Sequence, residues 1–257
     1  MTNGVDVTVE YTADVVGPMA GVDHRRGYVL DNLDIGATFD MGTLAGWRDT
    51  TMFVHLLNNS GAAPNDDIGT LQGVDNIEVT RQRARLYEAW IDKDFGGLDL
   101  RAGLYDLNSE FYNNDAAGLL LAPAFGIGSE LAATGPNGPS IFPSTALAVR
   151  AAVKPSEHET LQFAALNAHA GVLGDPDGVD TSFDDGALLI GEWSWSGDTV
   201  IKIGAWTYTE RQNDIRDTGA GGDPLKRRAF GAYLASQRTL WGDDERNVQG
   251  SLRIGFA

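Results

Sequence analysis

Cysteine is absent from the sequence, which removes disulfides, thiolate nucleophiles and cysteine-ligated metals from consideration. Basic residues are scarce: 19 Lys and Arg stand against 36 Asp and Glu, a formal net charge of −17. A surface that tracks phosphate backbones needs the opposite balance, so no nucleic-acid partner is expected. No apolar run reaches the roughly 18 residues that a membrane-spanning helix needs, although the short alternating strands of a membrane barrel leave no such trace. Residues 1–25 lack the apolar core of a signal peptide, so none is expected within this chain. Catalytic signatures are missing too. There is no glycine-rich dinucleotide fingerprint, P-loop or nucleophile elbow, and the HET at 158–160 has no second histidine. His24, His55, His158 and His169 stand too far apart for a metal-ligand motif, and no carboxylate pair for glycoside chemistry can be singled out among 36 acids. A non-enzyme without cofactors is expected.

Glycine, by contrast, is nearly twice its usual share, with 32 residues, and the dominant pattern is alternation of period two. In NLDIGATFDM, Leu33, Ile35, Ala37, Phe39 and Met41 share one face; LDLRAGLYD and TALAVRAAVKP repeat the arrangement. The alternation predicts about eleven strands, near 5–12, 27–41, 49–58, 78–91, 97–105, 144–154, 159–168, 186–195, 199–210, 228–241 and 247–257. Tight polar turns such as DKDFGG and SGD alternate with long polar stretches at 59–77, 106–143, 169–185 and 211–227. That alternation suits an antiparallel meander whose two ends meet different surroundings, and regular helices of a βαβ chain are missing.

Two all-β architectures fit. A soluble sandwich packs its apolar faces inward; a transmembrane barrel turns them outward to lipid and lines its lumen with the polar faces. Strands of about 14 residues exceed the five or six of ordinary globular strands and suit the barrel. Tyr87, Trp90, Trp193, Trp195, Trp206, Tyr208, Tyr233 and Trp241 lie toward strand ends, where interfacial girdles occur.

The segment RLYEAWIDKDFGGLDLRAGLYDLNSEFYNND resembles the bacterial carbohydrate-selective porin family. So do RRGYVLDNLDIGATFDM, FVHLLNNSGAAPNDDIGTLQGVDNIE, AAGLLLAPAFGIG, GPNGPSIFPSTALAVRAAVKPS and DDGALLIGEWSW, in order along most of residues 5–257. The resemblance implies an antiparallel outer-membrane β-barrel of the porin type that passes monosaccharides and other small solutes. Outer-membrane lipid and lipopolysaccharide would surround it, and a homo-oligomer is left open. It also implies that the loop 106–143 folds inward and constricts the pore. Family barrels have about sixteen strands, an even number as closure requires. A single porin-like domain over 1–257, covering about eleven strands and incomplete at its C-terminus, is therefore expected. The rival readings are a soluble β-sandwich carbohydrate-binding module and a β-rich glycan hydrolase.

On this reading Arg81, Arg83 and Arg85 share a strand face that must avoid lipid and so turn to the lumen, with Arg101 and Arg150 on neighbouring strands. Tyr105, Asp106, Asn108, Glu110 and Tyr112, in GLYDLNSEFYNN, are expected to line the entrance, aromatic faces stacking on sugar rings and polar groups bonding hydroxyls. Glu88 falls on the opposite, lipid-side face by simple alternation and would need a bulge, a partner or an interfacial depth. GDPDGVD at 174–180 spaces Asp175, Asp177 and Asp180 like calcium ligands, but Asp, Pro and Gly also make ordinary turns, and the plain turn is the expectation.

Overall fold

The computed structural model describes residues 3–21, 25–172, 178–243 and 246–257. Eleven strands form one antiparallel sheet in chain order: β1 (Val5–Val16), β2 (Tyr28–Asp40), β3 (Thr50–Gly61), β4 (Arg83–Asp94), β5 (Leu98–Tyr105), β6 (Ala146–Val153), β7 (Glu159–Asn167), β8 (Ala187–Ser196), β9 (Thr199–Tyr208), β12 (Phe230–Gly242) and β13 (Asn247–Phe256). Among the described residues β1 and β13 are unpaired on their outer sides, so the sheet is open. A separate hairpin, β10 (Gln212–Thr218) with β11 (Pro224–Arg227), rises between β9 and β12. The sequence reading leaves 211–227 as a loop because QNDIRDT and PLKR carry polar groups on both faces and give no alternation.

Connections differ sharply between the two ends of the sheet. One end has short turns, at residues 95–97 and 197–198 for example, and the helical turn α1 (Met41–Ala45). Asp40 caps α1 by accepting from the N–H groups of Gly42 and Thr43, and Gly46 ends it in the left-handed region at φ 74°. The other end carries the long segments 62–82, 106–145, 168–186 and 209–229. Even there, carboxylates organise the backbone: Glu78 accepts from the Asn65 N–H at the start of α2 (Pro64–Ile68).

Register makes the two faces explicit. Leu100, Ala151, Phe163, Gly191, Ala205, Ala232 and Phe256 are successive cross-strand partners, an apolar row across seven strands. This outer face is uncovered: Val149 is 57% exposed, Phe163 56% and Ile254 61%. The opposite row runs Asp92, Arg101, Arg150, Ala164, Ile190, Trp206 and Gly231. Buried residues gather on this inner face, where the segment after β5 packs. A sandwich would hide Val149 and Phe163 in its core, and the described residues supply no second sheet to do so. From β5 to β9 the backbone pairs strand to strand along the ladders, so the uncovered apolar side suits a medium without water.

Glu88 is rescued by a β-bulge. Leu56 pairs with Leu86 and His55 with Glu88, leaving Tyr87 as the extra residue. The bulge changes parity, so Arg85 and Glu88 both face inward. Glu88 there accepts from the Trp90 indole at 2.8 Å. The aromatic girdle also needs correction. Tyr87, Trp206, Tyr208 and Tyr233 are buried on the inner side, Trp90 packs against that inner core, and Trp193 is half-buried on the outer face. The exposed aromatics at the short-turn rim are Trp47, Phe95, Trp195 and Trp241.

If the outer face meets hydrocarbon, Val149→Arg or Ile203→Arg will destabilise the folded chain in bilayers by about 2–4 kcal/mol. Ser194→Arg on the inner face will cost much less. Denaturant unfolding in liposomes reads the difference; equal losses at all three positions would contradict the face assignment.

Candidate functional site

The site is built where the long segment 106–143 leaves β5 and turns back over the inner face. Asp106 starts it by accepting from the Asn108 N–H at 2.8 Å, capping a single 3-10 turn, Leu107–Ser109. The base is closed by Leu107 N–H donating to the Ser140 carbonyl and by Ser140 Oγ donating to the Tyr105 carbonyl. Asp106 also accepts from the Tyr87 hydroxyl at 2.8 Å. Burial pushes its carboxyl up to about 6, against the hydrogen bonds that favour the charged form.

Apolar side chains seat the loop. Leu107, Phe111, Tyr112 and Leu131 are fully buried against Ala164, Leu166, Ile190, Trp206 and Tyr233 of the wall. Tyr112 takes a left-handed φ of 55°, a conformation uncommon for a bulky residue. Three contacts hold it there: its ring stacks on Tyr233 at 3.7 Å, its N–H donates to Glu192 Oε2 at 2.9 Å, and its hydroxyl donates to Glu130 Oε1. Glu192 also accepts from the Tyr233 hydroxyl at 2.7 Å and from Gln162 at 3.1 Å. Tyr233 can lie this low because its neighbour Gly204 has no side chain; a Cβ there would run into the ring.

Glu110 ties the loop to the wall electrostatically. Arg150 meets its two oxygens with Nε and Nη2, both at 2.8 Å, in a fork geometry. Arg101 approaches at 3.2 Å, and the Tyr105 hydroxyl donates at 2.7 Å. The arginines are themselves held: Arg101 lies 3.7 Å over the Trp90 ring and bonds Asp92 at 2.9 Å, while Arg150 also pairs with Asp99.

Beneath this clasp a cleft of about 440 Å³ runs from Glu110 and Asn113 down to Gly97 and Lys154, beside the short turns. That volume lies within the range of small-molecule pockets, about 300–1,000 Å³. Carboxylates of Asp94, Asp99, Glu110 and Glu192 face cations of Arg150, Lys154 and Lys202, with Thr160, Gln162 and Ser194 between them. Lys202 reaches across to the Asn113 side-chain carbonyl. The cleft therefore offers interleaved hydrogen-bond donors and acceptors with little net charge.

Of the residues nominated from sequence, Arg150 and Glu110 border the cleft, and Arg101 stands just behind them. The arginine row does not form. Arg81 is exposed in a bend before β4, Arg83 is half-buried near its start, and Arg85 is buried with Nη1 donating to the Pro143 carbonyl at 2.8 Å. Arg85 thus props the far end of the loop. Tyr105 and Tyr112 are buried and cannot stack on a solute; Asp106 and Asn108 shape the loop's backbone. Sequence reasoning did not nominate Gln162, Glu192 or Lys202, whose only signal was inward parity on β7, β8 and β9. Asp175 and Asp177 lie outside the described residues. Asp180 accepts from the Ser182 N–H and hydroxyl, both at 2.8 Å, which hold its carboxyl below the usual range, as in an Asx turn.

Comparison with known proteins agrees with this architecture. A family model described as carbohydrate-selective porin, OprB family, matches residues 24–257. No curated protein matches the chain. Among solved structures, the high-pH structure of Pseudomonas putida OprB is similar with a TM-score of 0.78 and 21% identity, over 93% of this chain and 62% of that one. The low-pH structure of the same protein is similar with a TM-score of 0.54 and 16% identity, over 99% of this chain and 77% of that one. At these identities the likeness is one of fold. The chain spans 62% of the first structure's length.

Removing the clasp should loosen the loop. Glu110→Ala is expected to speed amide hydrogen exchange at Phe111 and Tyr112 by about tenfold or more and to open residues 106–143 to proteolysis, with Glu110→Gln intermediate. Unchanged protection would mean that apolar seating alone holds the segment.

Proposed function

This chain belongs to the OprB family of carbohydrate-selective porins, an outer-membrane channel family, and on that premise we propose that it forms the wall and constriction of a passive channel for small carbohydrates. The observation that carries this reading is the loop 106–143 seated on the inner face beside a charged cleft, while the other face stays apolar and uncovered. Short turns then face the periplasm and long connections the exterior. Further strands pair with β1 and β13 to close the barrel, since open edges in lipid would leave unpaired backbone groups.

Passage under the loop is by diffusion, and no cofactor enters. Carboxylates and cations interleaved around a narrow polar gap keep its net charge low while leaving donors and acceptors for a solute. A hydroxyl-rich neutral solute can donate to Glu110, Asp99 and Glu192 while accepting from Arg150, Lys202 and Gln162. A bare ion gains from one side what it loses to the other. Spread over several weak partners, binding stays shallow enough for release. The chain's net charge of −17 is thus not concentrated in the passage, where acidic and basic groups nearly balance.

Liposomes carrying this chain together with the strands that close the barrel are expected to swell in monosaccharides faster than in oligosaccharides. Thr160→Trp, which adds bulk to the cleft wall, should slow monosaccharide entry several-fold without changing folding yield. Failure of the wild type to admit sugars would overturn the channel reading; an unchanged rate in Thr160→Trp would show that solute does not travel beneath the loop.

A further inference from the structure

The first part of the loop 106–143 is held to the wall strand by strand. Glu110 meets Arg150 on β6, the Tyr112 N–H donates to Glu192 on β8, and Asn113 accepts from Lys202 on β9. Further along, the Asn114 side-chain amide donates to the Ser236 carbonyl on β12 at 3.4 Å, and the Gln237 amide donates to Asp115 at 3.2 Å. Residues 110–115 thus cross the inner face from β6 to β12.

The next stretch is built differently. Its backbone bonds stay local: the Leu120 N–H donates to the Ala117 carbonyl, the Phe125 N–H to Ala122 and the Gly126 N–H to Pro123. Leu119 is 82% exposed, and Leu120, Leu121 and Phe125 are exposed too, so the stretch stands clear of the described wall. It ends in a single 3-10 turn, Pro123–Phe125, whose own bonds leave out the carbonyls of Ala124 and Phe125.

Arg253 answers both carbonyls. It pairs across the ladder with Ala235, which is buried on the inner face, so Arg253 points inward from β13. Its Nη1 donates to the Phe125 carbonyl at 3.2 Å and its Nη2 to the Ala124 carbonyl. Its guanidinium also lies 5.4 Å from the centre of the Tyr112 ring. Two residues on, Gly255 lacks the side chain that would collide with the hydrogen-bonded Tyr112 and Glu130. One side chain therefore touches the loop on both sides of the exposed leucines. A planar fork can engage two neighbouring carbonyls at once, whereas a lysine ammonium is a point charge on a flexible stem. In a closed barrel, a stretch that stands clear of one wall borders the space left for solute.

We propose that Arg253 is a positioning residue for passage: by clamping the Ala124 and Phe125 carbonyls with its fork, it fixes where residues 117–126 lie across the lumen and so sets the largest solute admitted. The inference rests on the channel reading and names what limits solute size within it. Its test uses this chain together with the strands that close the barrel, in liposomes. Arg253→Met keeps bulk but donates nothing, and Arg253→Lys keeps the charge without the fork. In Arg253→Met, amide hydrogen exchange at Phe125 and Gly126 should speed up by about tenfold or more. The swelling rate in a trisaccharide, taken relative to that in glucose, should rise several-fold. Arg253→Lys should resemble Arg253→Met in both readouts, and it carries the same prediction should the methionine variant fold poorly. Unchanged exchange, faster exchange with an unchanged sugar ratio, or wild-type behaviour of Arg253→Lys would each overturn the assignment. A wild type that admits no sugar would defeat the channel reading itself. A wild type that admits glucose, with a trisaccharide ratio indifferent to Arg253, would defeat this inference alone and leave the channel standing.

Discussion

The constraint that organises this molecule is that strand neighbours point to opposite faces, and one of those faces is apolar and left uncovered by the described residues. Hydrophobic stripes normally drive a sheet to find a second layer. Here the second layer, the loop 106–143, packs on the inner face and leaves the apolar outer face uncovered. Once the apolar side is committed to a non-aqueous medium, backbone groups must be satisfied within the ladder. That favours long strands in nearest-neighbour order, with the irregular chain confined to the inner face or the ends. The strand lengths, the meander and the inward loop are consequences of one inversion.

A loop at membrane depth has its own requirement, because its backbone donors and acceptors lie outside any ladder. Glu192 meets part of it by accepting from the Tyr112 N–H, as does Ser140 by bonding the Tyr105 carbonyl. Glu110 contributes differently. Its carboxylate is shared by two arginines and a tyrosine, and those arginines are anchored to Asp92, Asp99 and Trp90. Breaking such a network at one member leaves the others charged and poorly solvated, so the network fixes position more than it adds net stability.

Much of the sheet was legible because period-two alternation is a direct readout of a sheet with one apolar face. The eleven strands fall close to where alternation puts them, and the order of short and long connections marks the two ends. Three features resisted. The bulge at Tyr87 adds one residue to β4 and reverses parity, which no local pattern announces; Glu88 was visible only as an anomaly. Tyr105 and Tyr112 read as solute-facing because polar, aromatic loops usually are exposed, whereas this one is pressed into a wall by Phe111 and Leu131. Glu192 and Lys202 sat among ordinary strand residues, and only register across β7, β8 and β9 brings them beneath the loop.

Charge distribution connects the wall to its surroundings. A net charge of −17 spread evenly would repel anions everywhere and draw cations into the passage. The structure partitions it. Around the cleft Asp94, Asp99, Glu110 and Glu192 are interleaved with Arg150, Lys154 and Lys202, so the local charge nearly balances. At the long-connection end Arg227 is answered by Asp214 and Asp217 and shares one surface recess with Arg211, Lys226 and Arg228. Isolated like charges at close range repel and would disfavour the hairpin unless water or an anion screens them.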